Sequence, residues 1–173
     1  MINSYIKDIA YFVPEKVLTN NDLSKLMDTT DEWIKSRTGI HQRHTVGDSQ
    51  LGPADLAVEA TSKLFNKLKY NKSDIDFVVF ATSTPDYFVP GSGSIFQEKM
   101  GLDNIGVLDI RQGCAGSIYA LSVADKFIKS EVYQNILVIG AEVQTTQLDF
   151  NDEDRGTAVL FGDGAAACLL SAT

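Results

Sequence analysis

The sequence predicts an α/β fold built in layers, with a mostly parallel sheet and helices on both of its faces. Two features predict it. Short continuous apolar runs recur at residues 76–81, 106–110 and 135–140, and none shows the apolar–polar alternation of a strand with one wetted face. Between them lie longer stretches whose apolar residues repeat at helical spacing, so strands and helices alternate as crossover-linked parallel strands require.

Residues 5–12 read as an opening strand ended by Pro14. Two short helices follow, the first capped by Asn20 or Asn21 and the second started by Thr29-Thr30-Asp31-Glu32 and stopped by Gly39. Pro53 stands where a first helical turn tolerates proline, and Leu56, Ala57, Ala60, Leu64 and Leu68 make one core-facing stripe behind it. A loop rich in Ser, Thr, Pro and Gly spans 82–93, and residues 94–100 read as helix. The run 106–110 is expected to be a second buried strand. Residues 115–129 then form a strong buried helix carrying Ile118, Leu121, Ala124, Phe127 and Ile128. Beyond the third run, an irregular stretch leads to two strands, 157–161 and 165–170, joined by a hairpin at Gly162-Asp163-Gly164. No repeat or linker interrupts this order, so one lobe is expected over residues 1–173.

The 173 residues are 44% apolar, enough for a sizeable core. A formal charge of −8 argues against a general nucleic-acid or anionic-membrane surface, since neither polyanion attracts a protein of like sign. No apolar run approaches the ~18 residues of a membrane span. The start, MINSYIKDIAYF, does not read as a leader with a cleavage site, so a cytoplasmic protein is expected. His41 and His44 lack companions at metal-ligand spacing and read as ordinary loop residues. Two cysteines far apart, Cys114 and Cys168, read as free thiols.

Cys114 lies between a strand and a helix, with small neighbours Gly113, Ala115 and Gly116 that permit a tight turn and a close substrate approach. A thiol there feels the positive end of the helix dipole, which favours thiolate, and nearby N–H groups could receive an oxyanion. Position alone leaves two readings open: a nucleophile, or a small hydrophobe in the core. Cys168, inside an apolar run, reads as the latter.

Three blocks weigh on that choice: Thr29-Thr30-Asp31-Glu32-Trp33-Ile34-Lys35-Ser36-Arg37-Thr38-Gly39-Ile40, then Cys114-Ala115-Gly116, then Asp154-Arg155-Gly156-Thr157 with Phe161-Gly162-Asp163-Gly164-Ala165. In order and spacing they resemble β-ketoacyl-acyl-carrier-protein synthase III, a condensing enzyme of thiolase-like fold. The resemblance covers the whole chain but only the N-terminal half of the family's fold, so a C-terminal lobe is expected to be absent. It implies that Cys114 accepts an acyl group from acyl-CoA, and that the acyl-enzyme then condenses with malonyl-acyl-carrier protein and releases carbon dioxide. It further implies that Trp33 and Arg37, with Thr29 nearby and Arg155, grip the adenine and phosphates of coenzyme A. No metal and no cofactor beyond that substrate is implied. The loop 85–93, with Phe88 and Val89, corresponds to the segment that reaches the partner's acyl pocket in family homodimers.

The chain departs from the family at two places. Arg111-Gln112 replaces the small alanines usual before the nucleophile in primary fatty-acid enzymes, and resembles relatives that make secondary metabolites such as quinolones or resorcinols. Val89 stands where an aromatic residue is common, which implies an altered acyl pocket. The family's histidine and asparagine for decarboxylation belong to the second half, so the full condensation is expected to fail with this chain alone, and exposed apolar helix surface is expected to drive self-association. A different class of function, a non-catalytic partner lobe that docks a carrier protein, has no need of a thiol at the turn. A dinucleotide fingerprint, Gly162-x-Gly164-x-x-Ala167, lacks a following helix in this reading.

Overall fold

The computed structural model describes residues 2–102 and 104–173. In chain order the elements are β1 (Ser4–Phe12), β2 (Val17–Thr19), α1 (Asn20–Leu23), α2 (Asp31–Thr38), β3 (Gln42–His44), α3 (Pro53–Leu68), β4 (Phe77–Ala81), α4 (Ser92–Met100), β5 (Gly106–Ile110), α5 (Gly116–Lys129), β6 (Asn135–Val143), α6 (Arg155–Ala158) and β7 (Asp163–Ala172). They form two compact units, one of residues 1–12, 51–142 and 165–173, the other of residues 13–50 and 143–164.

The first unit holds a five-stranded sheet in the order β1-β7-β6-β4-β5. Its centre is parallel, β4 pairing with both β5 and β6. Every residue of β4 is buried, as its unbroken apolar run predicts. Alternate side chains serve opposite faces: Phe77, Val79 and Ala81 pack with Ala120, Ala124 and Ile128 of α5, while Phe80 meets Phe96 of α4 at 5.9 Å between rings. Helix α3 lies against α4 and β1, so helices cover both faces. Pro53 begins α3, and Leu56, Ala57, Ala60 and Leu64 are fully buried along it, the stripe expected from their spacing.

The sheet is mixed, because β1, at the edge opposite β5, runs antiparallel to its neighbour β7. Ala172, at the end of β7, donates to the carbonyl of Gln134 just before β6. The expected hairpin at Gly162-Asp163-Gly164 does not form. Residues 155–158 are a helical turn, closed by the amides of Thr157 and Ala158 on the carbonyl of Asp154, and β7 finds its partner in β1 instead. Strand β5 is also not buried as expected. It is the sheet edge, and Leu108 is 37% exposed on it. Helix α5 buries a single stripe, Gly116, Ala120, Ala124 and Ile128, and leaves Ile118 64% exposed, so it too is less buried than expected. Helix α4 starts at Ser92, two residues ahead of the expected start.

The second unit joins β2 and β3 with α1, α2 and α6 around Leu23, Met27, Ile34, Ala158 and Val159. The first cap is Thr19, whose hydroxyl accepts from the amide of Asp22 while the Asp22 carboxylate accepts from Thr19. Asn20, read from sequence as a cap, is instead buried, donating to the Ile40 carbonyl and to Asp31 and accepting from Arg43. The guanidinium of Arg43 also donates to the carbonyls of Leu18 and Val159, so this buried cation crosslinks three segments of the unit. Asp163 does similar work, accepting from the amides of Val46 and Thr145, each at 2.8 Å.

No helix among the described residues is long and apolar enough to cross a membrane. Nor does any group of three His, Cys, Asp or Glu among them offer a metal site, and His44 Nδ1 is engaged with the Pro14 carbonyl at 2.6 Å.

Candidate active site

Cys114 occupies a single 3-10 turn, Gly113–Ala115, between the end of β5 and the first residue of α5. The turn exists because Gly113 takes φ = 51°, a left-handed conformation that other residues adopt only with strain. Helix α5 must then approach the sheet closely. A Cβ on Gly116 would stand 3.3 Å from that of Ala81, and one on Gly140 would stand 3.7 Å from that of Ser117. Glycine at 116 lets the start of α5 lie on the end of β4, while at Gly140 the contact is an ordinary one. The thiol is therefore presented beyond the carboxyl ends of parallel strands, where open α/β sheets place their sites. No side chain caps α5, so the positive end of its dipole is aimed at the turn that carries the thiol.

Cys114 is exposed and lines a cavity of about 430 Å³ whose other walls include Ile6, Ile9, Val138 and Cys168. The walls are mainly apolar, as a site for an alkyl chain requires. Cys168, half-buried on β7, faces the same space, and burial pushes its thiol up to about 11. The two cysteines predicted to be free are free, and only Cys114 is exposed.

One residue of this cavity was not singled out from the sequence. Glu142, near the end of β6, accepts from the amide of Ser83 at 2.8 Å and from the hydroxyl of Thr84 at 2.7 Å. Its carboxylate thereby fixes the turn that leaves β4 beside the thiol. An acidic residue ending a continuous apolar strand is the one signal that could have found it.

In the second unit, Trp33 and Arg37 project from α2, which Thr30 caps by accepting from the Trp33 amide at 3.0 Å. The guanidinium of Arg37 lies 4.4 Å from the centre of the Trp33 ring and that of Arg155 lies 4.7 Å from it. Arg155 is held there by the carbonyl of Asp28 and by the Asp28 carboxylate at 3.8 Å. Next to Asp28, the hydroxyl of Thr29 is buried with no hydrogen-bond partner among the described residues, an unusual state for a buried polar atom. Two permanent cations, Arg37 and Arg155, thus lie over the Trp33 ring, and the unpaired Thr29 hydroxyl follows the Asp28 that holds Arg155.

Phe88 and Val89, on the loop before α4, are 84% and 86% exposed. The Arg111 guanidinium lies 4.6 Å from the Phe88 ring, and both residues border a second cavity of about 270 Å³.

A layered α/β lobe with an exposed thiol at a strand-to-helix turn fits the class of thiolase-like condensing enzymes. Comparison with solved structures agrees: 3-oxoacyl-[acyl-carrier-protein] synthase III of Aquifex aeolicus superimposes with a TM-score of 0.91 at 37% identity, over 97% of this chain and 53% of that one. The priming β-ketosynthase of a polyketide biosynthetic pathway gives 0.91 at 29% identity, over 99% and 50%. The family model for 3-oxoacyl-[acyl-carrier-protein (ACP)] synthase III matches residues 108–173. The β-ketoacyl-[acyl-carrier-protein] synthase III of Fusobacterium nucleatum is 46% identical over 95% of this chain and 49% of its own length. The chain belongs to the β-ketoacyl-acyl-carrier-protein synthase III family, and it spans about half the length of the curated relatives it matches.

Proposed function

We propose that this chain is the acyl-accepting half of a β-ketoacyl-acyl-carrier-protein synthase III. Cys114 attacks the thioester carbonyl of acyl-CoA, an S–C bond forms, the coenzyme A thiolate leaves and takes up a proton, and the acyl group rests on Cys114. The observation that carries this reading is the exposed thiol on the turn preceding α5, at the lip of a largely apolar cavity. The transfer needs no cofactor, because the thioester is already activated. Trp33, Arg37 and Arg155 receive the adenine and phosphates of coenzyme A, and Thr29 offers its hydroxyl; an indole face between cations suits a purine base bearing phosphates. Condensation of the acyl-enzyme with malonyl-acyl-carrier protein belongs to the whole protein, acting in the cytoplasm as a homodimer. The exposed apolar pair Phe88 and Val89 suits a loop that reaches a second copy.

Incubation with short- and long-chain acyl-CoA followed by intact-mass measurement and peptide mapping tests the proposal. One acyl group on Cys114, lost in Cys114→Ser, is expected; no acyl adduct on Cys114 with any donor overturns it. The coenzyme A site has a separate readout, because Trp33 is the chain's single tryptophan. Coenzyme A should quench its fluorescence, and Arg155→Ala should weaken that binding about tenfold, the effect of one lost charge-assisted contact of about 1.4 kcal/mol.

A further inference from the structure

Acyl transfer to Cys114 gives Glu142 no part, yet this residue stands in the same cavity as the thiol. The cavity is lined by Ile6, Ile9, Leu121, Val138, small residues and the two cysteines, and no lysine, arginine or histidine is among the described residues that line it. Glu142 supplies its one carboxylate. The groups that donate to it are neutral: the amide of Ser83 at 2.8 Å, the hydroxyl of Thr84 at 2.7 Å and that of Thr82 at 3.4 Å. These bonds hold the side chain in place without cancelling its charge. Arg111, the cation nearest Cys114 in sequence, borders the other cavity and stacks on Phe88. The positive end of α5 draws anions to the turn itself, but it amounts to about half a charge confined to the first helical turn. The far end of an acyl chain in the cavity meets a full negative charge among apolar walls, where charges are screened less than at an open surface.

We propose that Glu142 determines specificity at this site: its charge turns away acyl groups that end in a carboxylate and leaves uncharged chains free to enter. The donor class is thereby narrowed to acyl thioesters with an uncharged terminus, and ω-carboxyacyl thioesters such as succinyl-CoA are poor donors. The inference rests on the reading of Cys114 as acyl acceptor. The bonds made and broken are those of the acyl transfer itself; Glu142 acts on entry of the donor and takes up no proton. Two like charges in a partly screened space bias entry about two- to five-fold.

The test measures, at fixed pH and ionic strength, the ratio of rates at Cys114 for two matched pairs of reagents. One pair is butyryl-CoA and succinyl-CoA, whose acyl chains have equal carbon number. The other is N-butyl iodoacetamide and its counterpart with a terminal carboxylate, which need no coenzyme A recognition. Both members of a pair react with the same thiolate, so its ionised fraction cancels from each ratio. With the iodoacetamides, folded wild type should favour the uncharged member about two- to five-fold more than the same chain unfolded in urea, a comparison that needs no variant to fold. Glu142→Gln should bring the folded ratio down to the unfolded one and speed succinyl transfer relative to butyryl by the same factor. Glu142→Asp, which keeps the charge, should keep most of the selectivity. Glu98→Gln, on α4 and outside the cavity, should change neither ratio, which separates the local carboxylate from the overall charge of −8. Equal ratios in folded and unfolded wild type, no change in Glu142→Gln, a loss in Glu142→Asp as complete as in Glu142→Gln, or an equal shift from Glu98→Gln overturns the proposal. Failure of every acyl-CoA to modify Cys114, with the iodoacetamide ratios as expected, rejects the acyl-acceptor reading and leaves charge selection by Glu142 supported.

Discussion

Cys114 and Cys168 face the same cavity, yet the backbone gives them opposite settings. Cys168 stands mid-strand on β7, its backbone committed to pairing with β1 opposite Ile9, and burial pushes its thiol up to about 11. Cys114 stands on a turn made possible by the left-handed Gly113, exposed, with an uncapped helix beginning two residues later. A shared cavity does not make two thiols equivalent. Reactivity is decided by what each segment of chain does with its backbone, because a strand interior withholds the sulfur from solvent and ions while a strand-to-helix turn offers both.

The largest expected effect concerns which thiol can carry an acyl group. Cys114→Ser should abolish modification by acyl-CoA at neutral pH, while Cys168→Ser should retain it; an acyl group recovered on Cys168 in the first variant would break the comparison. Raising the pH should sharpen it. The folded chain holds the Cys168 proton up to about 11, against 9.0 for an ordinary thiol. Between those values the unfolded chain has ionised this thiol and the folded chain has not, so the contribution is intact below the lower value and is lost as pH rises through the window. Alkylation of Cys168 should therefore climb about tenfold per pH unit across that window, and wild type should lose stability to urea there faster than Cys168→Ala.

Smaller effects separate the two sites by stability. Cys168→Ser places a hydroxyl among apolar neighbours and should cost about 1–3 kcal/mol in urea unfolding, whereas Cys114→Ser on the exposed turn should stay within about 0.5 kcal/mol. Gly113→Ala meets no atom within 4 Å but must adopt a left-handed backbone. It should cost about 1–2 kcal/mol and slow modification of Cys114, because relief of the strain moves the thiol off the turn. Sedimentation adds one more check: Ile118 and Tyr119 on α5, with Ile6 and Ile9 on β1, leave enough apolar surface to predict self-association at micromolar concentration.

Much of this contrast is legible in sequence, and what is not has a common cause. The stripe of α3, the continuous run of β4 and the glycine-flanked Cys114 are local patterns, and each appears in the structure where its pattern lies. The mistaken hairpin turned on partners more than a hundred residues away. Residues 157–161 look like a strand in isolation, but the partner of β7 is the opening strand β1, and Asp163 answers to the amide of Val46. Asn20 is a plausible cap by residue type, yet its amide is claimed by Arg43, Asp31 and Ile40. The exposure of β5 follows from strand order, which its own five residues do not encode. Within the candidate site, the grouping of Trp33, Arg37 and Arg155 came from the family resemblance and not from spacing, the stacking of both guanidiniums on the ring was in neither, and Glu142 belonged to no motif at all.

The turn preceding α5, and not thiol chemistry in general, is what should make Cys114 reactive. Timed alkylation with iodoacetamide at neutral pH, read by peptide mapping of both cysteines in one sample, tests it most directly. Cys114 in the folded chain should react at least about tenfold faster than Cys168, and urea unfolding should bring the two rates together. Equal rates in the folded chain, or a difference that survives unfolding, would contradict it.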